Sequence, residues 1–315
     1  MTKKPAGVRW RTNFLAIVRY ELIWNIRKKK FLGVLILAFA FATLVLFLSP
    51  ILNYVNNTPT VADPNYVVTT GVGIGSIGFF LFALVSVMNS ISGEFESGSI
   101  LPLLTKPVSR TAVYLGKVFA AFLTILGAFA LLIIYIAIGG SIVYGPQNNL
   151  YLLSVTLLGS LLSTLVWMGI VMAIGSASKS SMLAALLGIG IWLGINIASG
   201  IFAVFPSQAW ILTYAPGNGA TATLGAIPAN QTRIVSLNST STGTDGIGAN
   251  LVNYILHPNQ TVTYYKITLR ERTYSLVGSE PLSTTITRSI VVAVIYILVF
   301  NLIAWYALKR AQIAE

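Results

Sequence analysis

Side chains able to do chemistry are few, and most of the recognisable ones fall in one stretch, Glu94 to Lys117, which reads EFESGSILPLLTKPVSRTAVYLGK. Elsewhere the usual reactive sets are missing. No residue is cysteine and only His257 is histidine, so disulfides, thiolate nucleophiles and histidine-rich metal clusters are excluded. His257 stands in a turn-like His-Pro-Asn with no ligand set around it, which reads as a surface histidine. The sequence holds no His-Glu-x-x-His run, and its Gly116-Lys117 pair is followed by Val118, so it lacks the nucleotide-binding loop G-x-x-x-x-G-K-[ST]. A process driven by ATP would need another chain to bind it.

The elements that hold these residues are set by composition. Of 315 residues, 55% are hydrophobic and 9% charged, far below the roughly 25% charged of a soluble domain. Six runs are long and apolar enough to cross a hydrocarbon core of about 30 Å: Phe31–Leu52, Gly71–Ile91, Val118–Val143, Leu152–Ile174, Met182–Phe205 and Ile290–Leu308. The fold class is therefore an all-α polytopic membrane protein. Gly145, Pro146, Gln147, Asn148 and Asn149 predict a tight hairpin between the third and fourth spans. The short connection Gly175–Ser181 reads as a plain turn.

Lysine and arginine fix the orientation. Lys3, Lys4, Arg9, Arg11, Arg19, Arg27, Lys28, Lys29 and Lys30 precede the first span. Lys106, Arg110 and Lys117 lie in the second connection, Lys179 in the fourth, and Lys309 and Arg310 in the tail. The first and third connections have none. This predicts cytoplasmic termini in a cell membrane, and it accounts for most of the net charge of +12 as a basic rim facing anionic lipid, without nucleic acid. The sequons at Asn56, Asn230, Asn238 and Asn259 all fall on the opposite, outer side as glycosylation acceptors.

Residues 1–30 form a cytoplasmic segment in which Trp10, Phe14, Ile17, Val18, Leu22 and Trp24 recur near helical spacing between arginines. They predict an amphipathic helix in the inner interface. Residues 31–205 carry the first five spans, with a cytoplasmic loop over 92–117. Residues 206–288, richer in Ser, Thr, Asn and Tyr, form a small extracytoplasmic insertion between the fifth and sixth spans. Gln260–Arg270 alternates as a strand would, Trp210–Ala229 suits short re-entrant helices, and NSTSTGTDGIG from Asn238 is a loop tip. Residues 289–315 hold the last span and tail.

None of these runs contains a charged residue, which argues against a proton- or ion-coupled carrier. Asn196 and Asn301 need partners within the membrane, as interhelical bonds or as cavity contacts. Gly71 with Gly75, and Gly190 with Gly194, have the small-x-x-x-small spacing that permits close helix packing.

The Glu94–Lys117 stretch resembles the signature of the type-2 ABC transporter permease family. The residues carrying the likeness are Glu96, Gly98 with Ser99, Leu103 with Leu104, Pro107, Ser109 with Arg110, and Gly116 with Lys117. The six spans, the leading helix and the outer insertion extend it over nearly the whole chain, although the insertion is longer than the family's minimal pair of outer helices. The resemblance implies a non-catalytic membrane subunit, most often of an exporter. It further implies a cytoplasmic ABC ATPase subunit docked on the loop, ATP and Mg on that partner, and a second permease chain, a homodimer in the simplest case. Independently, a short helix with exposed leucines and flanking charges suits docking into a partner's groove. The plainer reading is that Glu94 and Glu96 balance Lys106 and Arg110 while the leucines rest on lipid. A membrane scaffold presenting the outer module is the alternative function.

Overall fold

A computed structural model describes residues 10–98, 109–204, 214, 247–259, 261–268 and 273–310. Among these the chain is a helical bundle with one β-hairpin. Hydrocarbon offers the backbone no partners, so each apolar run closes its hydrogen bonds within itself as a helix. Helix α1 (Trp10–Arg27) leads into α2 (Lys29–Val55). The short helices α3 (Tyr66–Thr70), α4 (Gly75–Val87) and α5 (Ser92–Glu96) precede the longest, α6 (Arg110–Tyr144). A 3-10 turn at Leu150–Leu152 opens α7 (Leu153–Ser178), which α8 (Ser181–Val204) follows. Then come α9 (Ile247–Leu256), strands β1 (Thr261–Thr268) and β2 (Thr273–Pro281), and α10 (Leu282–Arg310). Among the described residues six helical segments are long and apolar enough to span a membrane.

Three expectations change. The second span is not a continuous helix from Gly71 to Ile91: Gly71, Gly73 and Gly75 all take positive φ (64°, 66° and 62°) and part α3 from α4, and a turn over 88–91 parts α4 from α5. Left-handed backbone is the use of those glycines, so Gly71 and Gly75 do not form a helix-packing stripe. The last helix begins at Leu282 rather than Ile290, because β2 runs straight into it.

Helix α7 sits at the centre, buried along most of its length. Phe80 of α4 packs edge-on against Trp167 of α7 and stacks on Trp192 of α8, while Phe82 meets Phe129 of α6 edge-on at 5.3 Å. By contrast α2, α8 and α10 turn Ile36, Leu44, Leu186, Ile197, Leu298 and Leu302 outward. So much exposed apolar surface is tolerable only against acyl chains.

The hairpin pairs Thr261 with Pro281 through to Thr268 with Thr273, and a bulge between Tyr264 and Tyr265 leaves Val277 as the extra residue of β2. Strand β1 lies within the stretch predicted by alternation. Of Trp210–Ala229 only Tyr214 is described, and the loop tip from Asn238 lies outside the described residues up to Ile247.

Candidate functional site

Helix α1 presents Phe14, Ile17, Val18, Glu21 and Asn25 along one stripe toward α6, at the i, i+3, i+4, i+7 spacing of a packed helix face. The stripe is tight at Gly116, where a Cβ would stand 2.7 Å from Cγ2 of Ile17. One turn along α1, Glu21 pairs with Lys117, the residue after that glycine. Lys117 also donates to Glu94 Oε1 of α5 at 2.7 Å. Lys117 is 3% exposed and Glu21 6%. An ammonium so deeply withdrawn from water persists only with carboxylates facing it. Gly116-Lys117 is thus the seat of α1: the glycine admits Ile17 and the lysine binds Glu21.

The other motif residues each close an element. Glu96 Oε1 accepts the Ser181 N–H at 2.7 Å and the Ser180 hydroxyl at 3.1 Å, and Oε2 accepts the Ser181 hydroxyl, so a carboxylate caps the start of α8. Lys179 lies 5.5 Å above the Phe95 ring. The fourth connection is therefore a turn that also touches α5. Ser109 caps α6, its hydroxyl accepting the Ala112 N–H at 3.2 Å. Arg110 donates to the carbonyls of Lys309 (2.7 Å) and Leu308 (3.4 Å) at the end of α10, where a helix presents unpaired carbonyls. Gly98, exposed and at φ 69°, ends the described part of the loop. Ser99, Leu103, Leu104, Lys106 and Pro107 lie outside the described residues. Among the described residues Glu94, Glu96 and Arg110 each engage a different helix, while Lys106 of the local-balance reading lies outside them.

Asn301 joins spans: its Oδ1 accepts the Tyr114 hydroxyl at 2.7 Å and its Nδ2 donates to Ile297 O. Asn196 Nδ2 donates to Trp192 O within its own helix, and the side chain is half-buried. Among the sequons Asn56 and Asn259 are exposed, and Asn230 and Asn238 lie outside the described residues. His257 is exposed. Among the described residues no grouping of histidine, aspartate and glutamate could hold a metal ion.

Sequence reasoning missed Glu21, although a signal was present. It is the only acidic residue before Phe31 in a strongly basic segment, and it falls one turn after Ile17 on the helix's apolar stripe. Trp24, one of the recurring apolar residues of this helix, is 56% exposed.

The far end of the bundle is held without ion pairs among its described residues. Tyr66 stacks on Tyr144 at 3.7 Å. Gln147 of the third connection donates to Asp63 O and Gly145 O, both at 2.9 Å, and accepts the Val67 N–H at 3.0 Å. From this end α9 runs back into the bundle: Val252 packs with Val68 and Leu152 near the turn, and the Ile247 N–H reaches the Ser163 hydroxyl at 3.4 Å. Ser163 is ten residues into α7, about 15 Å along it. The contact is backbone on backbone, because a Cβ at Gly159 would stand 2.3 Å from Gly248.

These features, a six-span bundle with a leading helix seated on Gly116-Lys117 and a short helix running back into its far end, describe a multi-pass membrane permease. Over residues 15–313 the chain matches the ABC-2 family transporter protein model, and it belongs to that family. It is accordingly a membrane subunit of an ABC transport system, a kind of subunit that does not itself catalyse and that associates with an ABC ATPase. No curated protein sequence matches it.

Proposed function

We propose that the chain forms one half of the membrane path of an ATP-driven exporter and receives its power stroke through residues 94–117. The basic end is cytoplasmic, a separate ABC ATPase carrying ATP and Mg docks there, and a second copy of the chain completes the path. One observation carries this reading. Both flanks of the loop are tied to other helices: Glu94 and Lys117 join it to the leading helix α1, Glu96 to the span α8, and Arg110 to the span α10. Force applied to such a loop reaches several spans together. Gly190 and Gly194 support the second copy, since no heavy atom of the described residues lies within 4 Å of a Cβ built at either, and this close-packing face of α8 is unfilled among the described residues. With no ionisable side chain in the middle of the spans, the path favours an amphipathic or neutral substrate, such as a lipid-linked molecule, over a compact ion.

Changing Leu103→Asp with Leu104→Asp should leave the chain inserted but lose co-purification of the ATPase. Arg110→Glu should keep the ATPase bound and uncouple its hydrolysis from transport, because a carboxylate would face the α10 carbonyls. Unchanged co-purification and transport in both variants would reject the loop as the docking site. The chain has no native cysteine, so orientation is read directly. Single cysteines at Asn57, Asn149 or Ser241 should react with an impermeant thiol reagent from outside, and those at Ser97 or Ser178 should not.

A further inference from the structure

The elbow between α1 and α2 opens beside the ion triad into a cavity of about 660 Å³. Tyr20 and Trp24 of α1 form one wall, Val85 and Met88 another, Lys28, Lys29 and Lys30 line it at the point where the first span begins, and Glu21, Glu94 and Lys117 line its inner side. A second recess of about 340 Å³ shares Tyr20, Trp24 and Lys28 and adds Ile23 and Arg27. We propose that this cavity binds the phosphate headgroup of an anionic lipid drawn from the membrane leaflet at the basic end.

Charge, geometry and depth agree on that occupant. Lys28 Nζ donates to Asn25 Oδ1 at 2.7 Å and to Ser86 O at 3.5 Å, an arrangement that fixes an ammonium with three donors and leaves one for a ligand. Burial lowers its pKa, yet only to about 8, so it remains charged at neutral pH. Glu21 and Glu94 are both engaged by Lys117 and leave the triad one net negative charge, which the three lysines outweigh. Tyr20 and Trp24 are 66% and 56% exposed, as suits amphipathic rings at headgroup level. The recess lined by Ile23 and Trp24 offers an apolar lodging for the first part of an acyl chain, which a soluble phosphate compound lacks. This inference requires only that the chain span a membrane, and is independent of the direction of transport and of the ATPase docking site.

Trp24 makes the site observable. In nanodiscs of phosphatidylcholine containing the full-length chain, brominated phosphatidylglycerol should quench Trp24 at lower mole fraction than brominated phosphatidylcholine. The Trp24 signal is the difference from Trp24→Phe. The preference should amount to about fivefold for each lysine engaged. Lys29→Gln with Lys30→Gln, both exposed and outside the Lys28 hydrogen bonds, should remove most of it, and Lys28→Gln should reduce it. Lys309→Gln should leave it intact, and millimolar glycerol phosphate should not displace the lipid. Equal quenching by the two lipids would overturn the proposal. So would an equal loss in Lys309→Gln, which would indicate only a diffuse basic rim, or displacement by glycerol phosphate, which would indicate a soluble ligand. ATPase co-purification lost in the Lys29/Lys30 variant while the lipid preference stays would assign these lysines to an acidic partner surface and equally overturn it.

Discussion

The two ends of the bundle solve the same problem with different chemistry. At the basic end the helices are fastened by charged side chains: buried Lys117 between Glu21 and Glu94, half-buried Arg110 on the finish of α10, and exposed Glu96 on the start of α8. At the far end the described fastenings are neutral, through the Tyr66–Tyr144 stack, the amide of Gln147 and the backbone contact of Gly159 with Gly248. Neutral contacts add modest increments and tolerate loss, whereas a buried charge is costly once a partner moves away. An end built of paired charges therefore has few acceptable arrangements and moves as a unit. That property suits the part of a transporter that must transmit force, and the neutral end is free to be the part that yields.

Breaking the charged end should give the largest effect. Lys117→Met leaves Glu21 and Glu94 facing each other without a cation, and loss of one partner from a buried pair costs about 3–5 kcal/mol. A large drop in the unfolding midpoint of the detergent-solubilised chain is expected. Glu21→Gln with Glu94→Gln in the same background should restore most of it, because an apolar and amide cluster has no stranded charge. Failure of that rescue would mean that Lys117 acts through packing alone.

The next effect tests the neutral end. Gly159→Val places side-chain atoms where the Gly248 backbone already lies, 2.3 Å from the built Cβ. Neither backbone can yield cheaply, and overpacking of about 3 kcal/mol is expected, read as a lower midpoint and faster protease cleavage beside α9. Gln147→Ala should cost less, about 1–2 kcal/mol, since it strands one neutral buried donor, the Val67 N–H, rather than a charge. If Gln147→Ala proved as damaging as Lys117→Met, the contrast between the ends would fail.

The spans and the family were legible because both rest on local sequence: apolar length sets the former and an ordered motif the latter. Glycines misled where spacing was used alone. Gly71 and Gly75 have the spacing of a packing stripe, but three glycines within five residues also license a left-handed break, and only tertiary packing chooses between them. The loop was recognised and its leucines singled out, whereas the structural uses of Glu96, Arg110 and Gly116 were not legible. Each partner lies on a helix remote in sequence, Ser181, Lys309 and Ile17 respectively. Glu21 was open to detection, since a lone acid on an apolar stripe must meet a cation.

The smallest effect concerns Lys28, which stands at the edge of the charged end. Burial is the largest influence on it and pushes its pKa from 10.5 to about 8, against the attraction of Glu21. Unfolded, the same lysine titrates at its ordinary value. Below pH 8 both states are protonated and the full cost of burying the ammonium is present. As pH rises from about 8 toward 10.5 the folded state sheds the proton first, so this group's contribution to stability increases with pH across that window. Other groups titrate there too, and the useful quantity is the difference between the wild type and Lys28→Met. The wild type should gain on the variant from pH 7.5 to pH 10 in unfolding-midpoint measurements. A difference that stays flat would show that Lys28 keeps its proton when folded, held by the carboxylates of the triad, and the charged end would then extend one residue further than its pairing indicates.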